Sequence, residues 1–207
     1  PDINRSQLKF APEKTPSGKL AIRYGLAAIK NVGEGAMATA IADRDANGPY
    51  ESLEDFSNRL DSKSVNKRIL ENLVKAGALD WTSEPRASMY GRVEQVVASA
   101  SSAQRDRAQG QVSLFDTMDF AGASPAQDNG TMVAEIEEWT KDEKLANEKE
   151  LLGCYTSGHP LDKYRGVIDS DRFEKIGLMD DLDTKNKRAR YPFAGMIRHV
   201  EHKTTRA

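Results

Sequence analysis

Apolar positions along this chain first alternate and then fall into helical spacing. Leu8 and Phe10 precede the turn sequence Thr15-Pro16-Ser17-Gly18, and Leu20, Ile22 and Tyr24 follow it, so residues 7–24 predict a short β-hairpin. From Gly25 onward Leu26, Ile29, Val32, Met37 and Ile41 recur every three to five positions, interrupted by Gly33-Glu34-Gly35. That spacing predicts two short helices joined by a tight turn, the second ended by Asn47-Gly48-Pro49. Ser52, with Asp55 three residues later, is an N-cap for a helix through Phe56 and Leu60. Ser64-Val65-Asn66-Lys67 opens another through Ile69, Leu70, Leu73 and Val74, stopped by Gly77. Arg86 to Gln109 reads as one long helix with Met89, Val93, Val96, Val97 and Ala100 inward.

The pattern then fades. Residues 110–132 hold Gly110, Gly122, Pro125 and Gly130 among small and polar residues, which predicts a loop or linker. Helical spacing returns from Glu135 to Tyr155 through Ile136, Trp139, Leu145, Leu151 and Leu152, and a short helical pair is expected after Gly158-His159-Pro160. Phe193, Ala194, Met196, Ile197 and Val200 read as a strand entering a new domain. The fold class is therefore mainly α, with a short N-terminal β-hairpin.

Composition narrows the function classes. In 207 residues, 38% are hydrophobic and 30% charged, and no apolar run is long enough for a membrane span or a signal peptide. A single cysteine, Cys154, excludes an internal disulfide and any multi-cysteine metal site, and a cytoplasmic setting is expected. Thirty basic against 32 acidic residues give a net charge of −2, so nucleic-acid binding needs local, oriented groups rather than bulk charge. A first residue that is Pro, and a C-terminus without a closing element, read as a fragment.

Two segments carry candidate chemistry. Ile29-Lys30-Asn31-Val32-Gly33-Glu34-Gly35-Ala36 matches the hairpin of a helix-hairpin-helix motif. There the backbone turns sharply and approaches a phosphate, which the free N–H groups of the next helix receive. An ordinary αα-corner with a glycine cap explains the same spacing. A second Gly-terminated helix pair around Leu70–Leu79 makes the unit a tandem one and favours the nucleic-acid reading. Lys67 and Arg68 are secondary phosphate candidates, with a solvated surface as the alternative. The second segment is Gln111-Val112-Ser113-Leu114-Phe115, an apolar pair in a polar linker, suited to docking in a partner's groove unless it folds back on its own domain. The pairs Asp43 and Asp45, Asp169 and Asp171, and Asp181 and Asp183 have magnesium-like spacing but sit among other charges, so surface roles are expected. His159, beside Pro160, is expected to cap or pack. No catalytic residue and no metal ligand is assigned.

Taken in order, Pro1-Asp2-Ile3-Asn4-Arg5-Ser6, Ile22-Arg23-Tyr24-Gly25-Leu26, Ala28–Glu34, Asn66-Lys67-Arg68, Ala76-Gly77-Ala78, Gly110–Phe115, Glu148-Lys149-Glu150 and Ser157-Gly158-His159-Pro160-Leu161 resemble the C-family of bacterial replicative DNA polymerases, specifically their large catalytic subunit. The resemblance covers about residues 1–165. It implies the end of a fingers region over 1–24, a tandem helix-hairpin-helix DNA-binding domain over 25–108, and a linker over 109–132 whose residues 111–115 bind the sliding clamp. A helical connector over 133–190 and a truncated OB-fold start over 191–207 would follow. The expected partners are primer-template DNA, the sliding clamp and other replicase subunits, with no membrane. Magnesium would serve the parent polymerase, whose palm ligands precede Pro1; this part would hold no cofactor and no catalytic centre. Where the family carries Gly, this chain has Asn31, which tolerates left-handed backbone. A free-standing helix-hairpin-helix repair enzyme and a scaffold that binds no DNA are the alternative readings.

Overall fold

The computed structural model describes residues 1–15, 17–61, 64–108, 136–170, 172–174, 190–197 and 199–203. Among them the chain forms two compact units, Pro1–Thr156 and Ser157–Ala207.

The first unit begins with an extended segment and an antiparallel hairpin, β1 (Ala11–Lys14) and β2 (Leu20–Arg23), with Pro12 opposite Ile22. Five helices follow: α1 (Glu34–Asn47), α2 (Leu53–Arg59), α3 (Lys67–Lys75), α4 (Arg86–Ala108) and α5 (Lys141–Leu152). Their inward faces share one core in which Met37, Phe56, Leu70, Leu73 and Met89 are sealed from water. The long helix buries Met89, Val93, Val96 and Ala100 at helical spacing, with Val97 at the edge. Ser52 accepts from the Asp55 N–H at 3.1 Å, and Asn66 from the Ile69 N–H at 3.1 Å, so two helix starts follow from local capping chemistry.

The first of the two helices expected at the hairpin is only a 3-10 turn, Leu26–Ala28. The turn goes no further because the Lys30 N–H, which a longer helix would direct to Leu26 O, donates to Leu151 O at 3.0 Å and Asn31 is left-handed. The N–H groups of Leu26 and Ala27, free at any helix start, donate to the carbonyls of Gln7 and Leu8 in the N-terminal segment, both at 3.0 Å. That segment is fastened from the other side by Arg44 of α1, whose Nη1 donates to Ile3 O at 3.0 Å and Ser6 O at 2.8 Å.

Helix α5 starts later than the apolar spacing from Glu135 predicts. Thr140 and Glu143 form a reciprocal capping box that sets the start at Lys141, while residues 136–140 run as a non-helical strap. The strap lies along the first turns of α4, with the Trp139 ring 5.4 Å from Tyr90.

A buried ion pair joins α5 to α4. Glu148 is fully buried, and its Oε1 receives the Nη1 of Arg86 at 3.1 Å, while Oε2 accepts from the Thr156 N–H at 2.7 Å. Arg86 also grips both oxygens of Asp80, at 2.7 and 2.6 Å. Gly77 is required beneath this cluster, because its φ of +74° is left-handed and a Cβ there would collide with the Arg86 guanidinium.

In the second unit a short 3-10 segment (Pro160–Tyr164) leads into α6 (Arg165–Ile168). His159 caps it, its Nδ1 accepting from the Leu161 N–H at 3.1 Å. Among the described residues the expected strand around Phe193–Val200 is not formed, and Phe193, Met196, Ile197 and Val200 are exposed.

Glu148→Ala leaves the Arg86 cation buried with one carboxylate fewer, and should cost about 3–5 kcal/mol in thermal denaturation. Lys67→Ala, which removes an exposed pair, should leave Tm unchanged.

Candidate nucleic-acid interface

The hairpin between the 3-10 turn and α1 rests on three buried side chains, Leu26, Ile29 and Val32. Between them the chain turns through Asn31, whose φ is +60°. The left-handed residue of the turn is thus the asparagine, which tolerates that region better than most residues because its short side chain can hydrogen-bond locally. Gly33 has a φ of −65° and, as the residue preceding α1, provides no side-chain cap. A Cβ at Gly33 or Gly35 would meet nothing within 4 Å. The expectation that these glycines permit the turn is therefore corrected: among the described residues nothing requires them, and the space above them is open.

Met37 N–H closes the first turn of α1 onto Gly33 O at 3.1 Å. The N–H groups of Glu34, Gly35 and Ala36 have no acceptor among the described residues, as the start of an uncapped helix dictates. Val32, expected to present its N–H as well, does not, because that group donates to Ile29 O at 3.3 Å and the side chain is buried. Lys30, Asn31, Gly33, Glu34 and Gly35 are exposed and Ala36 is half-buried. Lys30, four residues before Glu34, is exposed, and no carboxylate pairs with its ammonium among the described residues. Glu34 favours the helix dipole but opposes an incoming anion, so the local field is the balance of one cation, one carboxylate and the helix end.

The remaining candidates behave differently. Lys67 Nζ binds Glu94 of α4 at 2.9 Å, which commits its charge internally, whereas Arg68 is exposed. Of the paired aspartates, Asp43 is held by Arg59 at 2.7 Å and Asp45 by Arg44 at 3.0 Å. Gln111, Val112, Ser113, Leu114 and Phe115 lie outside the described residues.

The second Gly-terminated pair, α3 to α4, does not repeat the open arrangement. Glu138 of the strap occupies the start of α4, one oxygen accepting from the Arg86 N–H and the other from the Ala87 N–H, each at 3.1 Å. Lys144 lies 3.4 Å from the same carboxylate. Partial burial works against ionisation of Glu138, but hydrogen bonds from the N–H groups of Ala87, Arg86 and Trp139, with Lys144, outweigh it and hold the carboxyl below the ordinary glutamate range. An internal anion thus fills the position at α4 that is vacant at α1. Sequence reasoning did not find Glu138, Arg86 or Glu148. The Thr140-x-x-Glu143 box was the readable signal that the helix starts late and that the residues before it are free to reach α4.

A family model described as a helix-hairpin-helix motif matches residues 1–89. The DNA polymerase III subunit alpha of Borreliella burgdorferi is 37% identical over 201 residues, covering 97% of this chain and 17% of that protein. That of Treponema pallidum is 32% identical over 207 residues, covering 100% of this chain and 17% of its own length. The Vibrio cholerae subunit is 37% identical over 164 residues, covering 79% of the chain and 14% of the relative. This chain belongs to the DNA polymerase III alpha-subunit family. It spans about one-sixth of the length of these curated relatives. The helix-hairpin-helix region of this polymerase III alpha segment therefore contains one uncapped helix start, at α1, and one start closed by its own glutamate, at α4.

Because the folded pKa of Glu138 is depressed, its contribution is present above the unfolded glutamate pKa, about 4.3, and is lost as pH falls through the folded value. Glu138→Gln should therefore destabilise the chain at neutral pH by about 1 kcal/mol and flatten the acid limb of a Tm-against-pH profile; an unchanged acid limb would show that the cap carries no linkage.

Proposed function

We propose that this chain serves a replicative DNA polymerase by holding duplex DNA through a backbone phosphate at the start of α1 and by tethering the enzyme to a sliding clamp through residues 111–115. The observation that carries the DNA reading is the uncapped α1 N-terminus on the Asn31 turn, with three N–H groups without acceptors among the described residues, an exposed Lys30 on the same turn and open space over Gly33 and Gly35. A phosphate oxygen fits such donors, and the helix end favours its charge. No base edge is read by backbone N–H groups aimed at a phosphate, so binding is independent of sequence, as a sliding enzyme needs. The family membership favours this reading over a repair enzyme or a DNA-free scaffold. The clamp reading rests on the Gln111–Phe115 pattern alone.

Other replicase subunits and a cytoplasmic setting belong to the same proposal. No helix among the described residues is long and apolar enough to cross a membrane. Among the described residues no three His, Cys, Asp or Glu side chains come together to hold a metal.

Gly35→Ala should separate stability from binding. Alanine in the first turn of α1 should stabilise the helix by up to about 1 kcal/mol. The added Cβ should stand between the N–H groups and a phosphate, weakening binding to duplexes of different sequence by the same factor. Unchanged affinity at low salt would count against the phosphate contact.

For the tether, burying Leu114 and Phe115 contributes roughly 1.5–3 kcal/mol per side chain before ordering costs, and linkage through DNA makes a weak contact effective. Replacing Gln111, Leu114 and Phe115 together by Ala should abolish clamp binding in a pull-down with purified clamp while DNA affinity and Tm hold. Loss of folding with clamp binding intact would assign these residues to a core instead.

A further inference from the structure

The turn that carries the proposed phosphate contact is weakly held by its own backbone. Within it, Ile29 N–H donates to Leu26 O at 3.2 Å and Val32 N–H to Ile29 O at 3.3 Å, and Asn31 sits in left-handed backbone that any residue but glycine adopts at a cost. Support comes from α5, more than 100 residues later in the chain. The last carbonyls of a helix lack partners within it, and α5 ends at Gly153 in a left-handed cap. Two of those carbonyls are spent on the hairpin: Leu151 O accepts from the Lys30 N–H at 3.0 Å, and Leu152 O from the Tyr24 hydroxyl at 2.9 Å. The same hydroxyl lies 3.2 Å from Ala28 O, on the 3-10 turn immediately before the hairpin. Tyr24 thus links β2, the 3-10 turn and the end of α5 at one oxygen.

We propose that Tyr24 is a positioning residue for the phosphate contact, fixing the hairpin against the α5 C-terminus so that the N–H groups of Glu34, Gly35 and Ala36 stay aimed at one phosphate. The inference rests on the phosphate reading of α1. Its second support is that the ring has its own place: Phe10 meets it edge-on with centroids 4.7 Å apart, so the hydroxyl is not needed to seat the aromatic body. Burial holds the phenol above its ordinary pKa, keeping it a donor through the neutral range.

The test measures affinity of the full chain for a fluorescein-labelled primer-template duplex of mixed sequence, across a salt series, for the wild type, Tyr24→Phe, Gly35→Ala and the double variant. Each phosphate contact contributes about 0.9 to the slope of log affinity against log salt, and a partly unfolded variant loses affinity without changing that slope. Tyr24→Phe should weaken binding about three- to tenfold, lower the slope by about 0.9, and change Tm little. The double variant should bind no more weakly than Gly35→Ala, since both act through one contact. A wild-type slope for Tyr24→Phe, with Gly35→Ala still losing its contact, overturns the positioning role and leaves the phosphate reading in place. Additive losses in the double variant put the effect of Tyr24 somewhere other than the hairpin and overturn the proposal as well. A wild-type slope for Gly35→Ala removes the phosphate reading, and the proposal falls with it.

Discussion

The buried Arg86 to Glu148 pair is the constraint on which the rest of the first unit depends. Arg86 is 4% exposed and Glu148 fully buried, so the Glu148 charge is held in the interior by Arg86, and the Arg86 charge by Glu148 together with Asp80. Through Arg86 the pair reaches Asp80 and the Lys75 carbonyl at the end of α3, and through Glu148 it reaches the Thr156 N–H beyond α5. Helix α5, which begins more than 30 residues after α4 ends, is thereby fixed against it. Once α5 is fixed, its final carbonyls are available to the Asn31 turn, and the strap ahead of it reaches the start of α4.

The two helix starts after the two turns then divide the work. At α4 the glutamate of the strap satisfies the Arg86 and Ala87 N–H groups, and this closed end serves stability. At α1 no side chain among the described residues does the same, and the exposed Lys30 lies on the turn that leads into it. The net charge of −2 makes this division meaningful, because the proposed attraction to DNA would have to come from such a local arrangement rather than from the surface as a whole.

Most helices were legible because their signals are local. Ser52 and Asn66 cap where their spacing says they should, and the face of Met89, Val93, Val96 and Ala100 follows from a 3.6-residue period. The turn residue was legible only through the family resemblance, which set Asn31 where the family carries Gly; the motif itself pointed to Gly33 and Gly35, which the left-handed backbone does not use. What was not legible depends on partners distant in the chain. The Lys30 N–H that would extend the Leu26 turn goes to Leu151 O, and Glu138 finds its donors 51 and 52 residues back on α4. Lys67 looked like a free cation until α4 placed Glu94 against it. Periodicity reports which face a helix buries; it does not report which carboxylate arrives there.

The central claim, that the open start of α1 receives a phosphate while the closed start of α4 does not, is tested most directly by backbone amide NMR shifts of the chain titrated with duplex DNA. The account predicts downfield shifts and exchange protection at Glu34, Gly35 and Ala36, with Arg86 and Ala87 unmoved. Shifts at Arg86 and Ala87 with none at α1 would contradict it.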